Sequence, residues 1–245
     1  MGRIAAFSYG LIGYAVFFVT FLYAIGFVGN LSVSKSIDSG PVAPLPESLL
    51  VDAALLLAFA VPHSVMARAG FKRWWTTIVP PPIERSTYVL ISSLLLVLLL
   101  SQWHPIPAAV WSIETPALQF ALQALGWLGW ATVLVSTFLI DHFDLFGLRQ
   151  VWLHLRGRPV TPPTFRTPGL YRYCRHPIML GFIVAFWSTP RMSIGHLIFA
   201  AATTGYILVA IQIEERDLLR LHGAQYEEYR RRTSMLVPVP LGTRT

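Results

Sequence analysis

The chain has 245 residues, 54% hydrophobic and 13% charged, with a formal net charge of +7. A soluble domain carries about 25% charged residues, so this composition, with a mean hydropathy of +0.56, is that of an integral membrane protein. The basic excess does not argue for nucleic acid, because no basic stripe lies on a soluble face.

The first apolar run, roughly 5–29, follows only Arg3 and is too long for the apolar core of a signal peptide, so a retained transmembrane helix is expected. Ser32 to Pro46 is rich in Ser, Gly and Pro and reads as an irregular external loop. A spanning helix needs about 20 apolar residues, and further runs at roughly 48–69, 86–102, 117–140, 177–190 and 193–213 bring the candidates to six. The fifth has about fourteen residues, or ~21 Å at ~1.5 Å per residue. Ser188 to Ser193 follow it at once, so the last two runs read as a tight helical hairpin and a strict count gives five spans. Between the fourth and fifth runs, Gly157, Pro159, Pro162, Pro163 and Pro168 predict extended or turned chain. From Glu214 to about Arg232 the residues favour helix, with Leu218, Leu221, Tyr226 and Tyr229 compatible with one face and a break near Gly223. The expected fold is an all-α polytopic transmembrane helix bundle of five to six spans with a cytoplasmic C-terminal helix.

Orientation follows from the cations. Arg68, Lys72, Arg73 and Arg85 lie in one loop, Arg149, Arg156, Arg158, Arg166, Arg172 and Arg175 in another, and Arg216, Arg220, Arg230, Arg231 and Arg232 in the tail. The intervening loops hold only Lys35 and Arg191, which puts the rich loops and both termini in the cytoplasm.

Polar groups within a membrane face the bundle or water, so their depth is informative. His63, Glu84, Arg85, Tyr88, Asp141, His142, Asp144, Arg175, His176, Glu214 and Glu215 all fall at cytoplasmic helix ends, which suggests one polar pocket there. The external side offers fewer: Asp52, His104, Glu114 and His196. His63 follows Pro62 and either bonds a carbonyl freed by a kink or serves the site. Asp141 and His142 are either ordinary helix-end residues or part of it. Trp74, Trp75, Trp103, Trp111 and Trp152 read as belt residues at the membrane interfaces. No H-E-x-x-H and no i, i+4 histidine pair is present, so no metal is expected. Cys174 is the sole cysteine and reads as a small filler in a turn.

Three segments then carry a resemblance. They are Gly169-Leu-Tyr-Arg-Tyr-Cys-Arg-His-Pro-Ile-Met-Leu-Gly181, the Glu-Glu-Arg-Asp-Leu run ending at Leu218, and His222-Gly-Ala-Gln-Tyr-Glu-Glu-Tyr-Arg230. Together they resemble the isoprenylcysteine carboxyl methyltransferase and phospholipid N-methyltransferase superfamily of membrane enzymes. That pattern reads R-H-P-x-Y-x-G, then E-x-x-L, then G-x-x-Y-x-x-Y. Arg175, His176, Pro177 and Gly181 match the first box, Glu215 and Leu218 the second, and Gly223, Tyr226 and Tyr229 the third, while Met179 replaces the first box's tyrosine. That departure, with Val61-Pro-His-Ser-Val-Met-Ala-Arg68 and the segment from Asp141 to Trp152, resembles the NnrU-like branch and, within it, the methanethiol S-methyltransferases.

The resemblance implies an enzyme that uses S-adenosylmethionine to methylate a small thiol. It also implies one membrane-embedded domain over 1–245, in which 1–140 serves the substrate and 141–240 the cofactor. In that picture Glu215, with Glu214 beside it, takes the donor's α-amino group, and Arg175 and His176 reach its carboxylate or ribose. Leu170, Tyr171 and Tyr173 offer a slot for adenine. Pro177 starts a helix whose N–H groups face an anionic group, and Gly181 lets that helix approach a neighbour. His63, His142 and Asp141 are the candidate bases for the thiol, and Arg85 a candidate for stabilising a thiolate. The expected partners are the thiol and the lipid bilayer, and the expected location is a bacterial inner membrane. Competing readings are a lipid or prenylated acceptor, a transporter or subunit without catalysis, and a membrane reductase using NADPH.

Overall fold

The computed structural model describes residues 2–31, 33–161 and 164–238. Ser32, Pro162 and Pro163, assigned above to loops, lie outside the described residues, as do 239–240 of the expected cofactor portion. In chain order the helices are α1 (Arg3–Val28), α2 (Leu45–Met66), α3 (Ala69–Trp75), α4 (Pro81–Gln102), α5 (Pro116–Ile140), α6 (His142–Leu145), α7 (Leu148–Leu155), α8 (Pro177–Trp187), α9 (Ile194–His222) and α10 (Ala224–Arg232). Five of them, α1, α2, α4, α5 and α9, are long and apolar enough to cross a membrane. The protein is therefore a polytopic helical membrane protein. A short sheet of β1 (Ala109–Ser112) and β2 (Arg191–Ser193) is the exception to all-α, and the sequence pattern did not predict it.

Several helices begin earlier than the apolar runs. α2 starts at Leu45 rather than 48, and α4 at Pro81 rather than 86. Pro46, Pro81 and Pro82 fit the first turn, where the missing N–H would have no intrahelical partner. Glu84 and Arg85 consequently lie inside α4 instead of before it.

The contacts divide the chain into two compact units. The first comprises the described parts of 1–108, 142–162 and 193–196. Within it α1 packs on α4 and α7, and α2 packs on α4. One core cluster joins Ala6, Ile83 and Val151 across these helices, and another joins Met66, Tyr88 and Val89, with Phe17, Phe71, Trp75 and Phe146 packed against it. Helices α6 and α7 occupy chain expected to be extended or turned. The apolar residue that holds α7 is Val151, which is fully buried. Gly147, at the α6–α7 corner, has φ +86, and a Cβ there would lie 2.7 Å from the Ser86 nitrogen. Only glycine permits both that dihedral and that approach. Trp103, expected in an interfacial belt, is instead fully buried, with its ring edge-on to Phe27 at 6.4 Å.

The second unit comprises 109–141, the described parts of 163–192, and 197–238. Its tightest packing sets α8 on α5. Gly129 and Gly181 meet there: a Cβ on Gly181 would come 2.7 Å from the Gly129 carbonyl oxygen. Small residues at such a crossing let two backbones touch in lipid, where close packing replaces the hydrophobic effect as the driving force. α8 has 11 residues, ~16 Å of helix against a hydrocarbon core of ~30 Å, so it does not span alone. The hairpin from α8 to α9 turns through β2 and is tied by a Phe186–Phe199 ring contact at 5.1 Å and a Trp187 Nε1 hydrogen bond to Thr204 Oγ1 of 2.9 Å. α9 runs beyond the apolar stretch to His222, and the chain then breaks at Gly223, φ +54, before α10, as the sequence pattern predicts. Apolar side chains such as Leu22, Val61, Leu98, Phe120 and Val209 remain exposed on the long helices, the surface a bilayer would cover.

Candidate functional site

The most concentrated polar cluster lies in the second unit. A 3-10 turn over Gly169–Arg172 leads to Cys174 and Arg175, and His176 is the residue before α8, with Pro177 at its first position. Glu215, about two turns before the end of α9, is buried although charged. Arg175 Nε donates to Glu215 Oε1 at 2.7 Å, with both side chains about nine-tenths buried (9% and 8% exposed). His176 Nε2 lies 3.1 Å from the same oxygen, and its Nδ1 lies 3.8 Å from Glu214 Oε2. Glu214 is half-exposed and Glu215 is enclosed, so the two neighbouring carboxylates have different surroundings. A buried carboxylate tolerates this environment because two donors, one always cationic, replace its water.

The arginine is also engaged through Nη1. Arg175 Nη1 donates to the Arg230 carbonyl at 3.1 Å and to the Thr233 carbonyl. The backbone follows the same course: Arg175 N bonds Ser234 O at 2.9 Å, His176 N bonds Met235 O at 3.2 Å, and Cys174 and Ser234 form a parallel bridge. The segment before α8 is thus strapped to the chain after α10. Cys174 is buried in this strap, and burial pushes its thiol up despite the neighbouring guanidinium.

Tyrosines enclose the cluster. Tyr229 Oη donates to Tyr171 O at 2.6 Å, and Tyr171 Oη to Ser136 O on α5 at 3.4 Å. The Tyr226 hydroxyl is buried beside Glu215 and interacts with its carboxylate. Burial, with the Glu215 charge adding to it, raises the Tyr226 and Tyr229 phenols well above their usual value. Tyr171 is raised by burial first and Glu214 second. The two tyrosines expected to form one slot are set apart: Tyr171 is 6% exposed and Tyr173 65%. Leu170, on the same turn, is partly exposed, and Gly181 is occupied with α5. Beside the strap, Phe165, Thr167, Arg172, Gln225, Glu228, Tyr229, Arg232 and Thr233 line an open cleft of about 380 Å³. The sequence offered only the tyrosine spacing as a sign of it.

The candidate bases are divided. Asp141 belongs to the second unit, and His63, Arg85 and His142 to the first. Asp141 caps α5 with φ +147 and ψ 87, a conformation that costs a non-glycine residue on the order of 1–3 kcal/mol and tends to be kept at functional sites. His142 is buried, and its Nε2 lies 2.8 Å from Tyr14 Oη. Removal from water lowers its pKa, so the ring is neutral near pH 7. His63 is held by Tyr88 Oη at 3.1 Å and Ser92 Oγ at 3.1 Å, with Phe59 stacked on it at 5.1 Å. Arg85 donates to the Leu145 carbonyl at 2.7 Å and lies over the Tyr88 ring, 5.0 Å from its centroid. Tyr14 and Ser92 were not anticipated; aromatic and small residues on an apolar helix carry no distinguishing pattern. Away from these groups, Asp52 is buried in α2 and accepts the His104 backbone N–H at 2.8 Å.

Comparison with known proteins identifies relatives of the chain. Residues 84–233 match the family described as "Protein of unknown function (DUF1295)". A methanethiol S-methyltransferase of Mycobacterium tuberculosis is 58% identical over 240 residues, covering 98% of both chains. One from Crocosphaera subtropica is 51% identical, covering 97% of this chain and 93% of its own. Nurim from Bos taurus is 30% identical over 86% of each. No solved structure matches. By these matches the chain belongs to the DUF1295 family, in the group that includes the membrane proteins named methanethiol S-methyltransferase.

Proposed function

We propose that this protein transfers a methyl group from S-adenosylmethionine to methanethiol, giving dimethyl sulfide. The observation that carries the reading is the Arg175–Glu215–His176 cluster with the buried Tyr226 hydroxyl beside it. The residues fit such a donor. A zwitterionic ligand with a sulfonium needs a carboxylate for its ammonium group, and Glu215, with Glu214 adjacent, offers one in a desolvated setting. Tyr226 places a buried hydroxyl beside that carboxylate. Arg175 and His176 keep Glu215 ionised and fixed, and face the donor's carboxylate or ribose. The exposed Leu170 and Tyr173 serve the adenine with the buried Tyr171 supporting their turn, Pro177 fixes the start of α8, and Gly181 seats that helix. The bound donor supplies an electrophilic methyl group.

On the acceptor side, the thiol is a poor nucleophile until it loses its proton; a cysteine-like thiol has a pKa of about 8.5. A neutral histidine, His142 or His63, takes the proton on a ring nitrogen. Asp141 and Arg85 are the accompanying charges, the first to support a histidinium and the second to steady the thiolate. Charge disappears as thiolate and sulfonium combine, so water-free surroundings favour the step. The distribution of arginines supports an orientation with both termini cytoplasmic, and the bacterial relatives support an inner-membrane location.

The test is direct. Purified protein in detergent is mixed with S-adenosylmethionine and methanethiol, and dimethyl sulfide is measured in the headspace. Product is expected. Its absence with intact donor binding would favour a lipid or prenylated acceptor, a reading that the apolar groove of about 350 Å³ lined by Ala15, Val16, Val19, Thr20 and Val97 would suit. No donor binding by calorimetry would refute the methyltransferase reading outright. His142→Ala and His63→Ala are expected to lower turnover while leaving donor affinity nearly normal.

A further inference from the structure

Two histidine–tyrosine pairs, Tyr14 with His142 and Tyr88 with His63, lie in the first unit. Two aromatic rings, Phe146 and Phe17, pack on the first pair and on the core cluster that includes Tyr88. Phe146 lies 4.8 Å from the His142 ring and 6.2 Å from that of Tyr14, and Phe17 lies 6.0 Å from Tyr14. Both phenylalanines also pack against the Met66–Tyr88–Val89 cluster that carries the second pair. They stack on each other with centroids 3.9 Å apart and planes 23° apart, which leaves no room for an atom between the rings. We infer that the stacked Phe17 and Phe146 form the wall that limits the acceptor's carbon chain, so that only the smallest thiols are methylated. This rests on the methyltransferase reading above and extends it to substrate size.

The chemistry leads there by elimination of directions. An acceptor that surrenders its S–H proton to a ring nitrogen of His142 or His63 must bring its sulfur to within hydrogen-bond reach of that ring. Its carbon substituent then lies among the rings packed around the histidine, which are Tyr14, Phe143 and Phe146 at His142 and Phe59 and Tyr88 at His63; Phe146, backed by Phe17, is the one that also packs on the Tyr88 cluster. Methanethiol has one carbon to place. Each added methylene must displace an aromatic ring that is itself wedged against a second ring and a core cluster. Tight cores resist such insertion, and pocket walls of this kind discriminate one methylene by roughly 10–200-fold.

The experiment compares kcat/KM for methanethiol, ethanethiol and propanethiol in the wild type, Phe146→Ala, Phe17→Ala and the milder Phe146→Leu, with donor binding measured in each. In the wild type, activity should fall at least tenfold per added carbon. In the alanine variants the propanethiol-to-methanethiol ratio should rise by tenfold or more, with Phe146→Leu intermediate and donor affinity unchanged. A ratio equal to that of the wild type in Phe146→Leu or in a folded alanine variant overturns the size proposal and leaves the methyltransferase reading intact. Wild-type protein that methylates all three thiols equally also overturns it. Wild-type protein that binds the donor but yields no thioether from any of them removes both.

Discussion

Glu215→Ala is the perturbation on which the polar cluster stands most exposed to refutation. The pair it breaks has a 2.7 Å contact, with only 9% and 8% of the two side chains exposed. Removing one partner of a buried ion pair strands the other and costs about 3–5 kcal/mol. Here His176 loses its 3.1 Å partner too. For a chain of this length, 1 kcal/mol corresponds to roughly 2–4 °C in Tm, so a fall of about 6–20 °C is expected. Arg175→Ala should cost as much, because it leaves Glu215 uncompensated and releases the Arg230 and Thr233 carbonyls. The double variant decides the matter. Contacting groups in one network show coupling of about 0.5–3 kcal/mol, so the combined loss should fall short of the sum by about 2–3 kcal/mol. The assay is thermal unfolding of the four proteins in one detergent, followed by tryptophan fluorescence, with donor binding by calorimetry alongside. Glu215→Ala should also weaken that binding at least tenfold. If the two single effects add to within about 0.5 kcal/mol, or if Glu215→Ala shifts Tm by less than ~2 °C, the residues do not form the enclosed pair described.

Gly181→Ala would push a Cβ to 2.7 Å from the Gly129 oxygen and 2.9 Å from the Val133 nitrogen; a loss of about 1–3 kcal/mol is expected. Gly205→Ala meets nothing within 4 Å and should leave Tm unchanged or slightly higher, so equal losses at both sites would refute the packing argument. The folded-state pKa of His142 is lowered from 6.5 by burial. Its contribution to stability is therefore complete above pH 6.5 and declines as pH falls below that value, because the unfolded chain takes up the proton first. Tm should drop between about pH 7.5 and 5.5, and the drop should be smaller in His142→Gln; identical profiles would contradict it. The buried Cys174 thiol is held above its usual pKa, so iodoacetamide should label it slowly in the folded protein and quickly once unfolded, and Cys174→Ala should retain turnover.

The long helices were legible because a span announces itself by length and apolarity. The places where reading failed have local causes. Prolines at 46, 81 and 82 looked like loop residues, but the first turn of a helix accepts them. α7 was hidden because it has eight residues and buries a single valine deeply, too little for a periodic signal. Arg175, His176 and Glu215 were legible as a motif, and the structure brings them within hydrogen-bond distance. Their dependence on Thr233, Ser234 and Met235 was not, because backbone carbonyls leave no mark on side-chain identity. The histidines were found by charge alone. Tyr88, which holds His63, was legible by its place at a helix end, whereas Tyr14, which holds His142, sits in a helix where a tyrosine looks like any other aromatic residue.

The pairing of Arg175 and His176 with Ser234 and Met235 joins points some sixty residues apart, and that has a consequence for synthesis. Helices α5 and α8 can dock as soon as both have left the translocon. The amides of Arg175 and His176 stay hydrated until Ser234 and Met235 have emerged from the ribosome. A nascent chain can thus be inserted and largely packed while its ionic knot is still untied, and grip on a charged small molecule arrives only once the segment after α10 has been made.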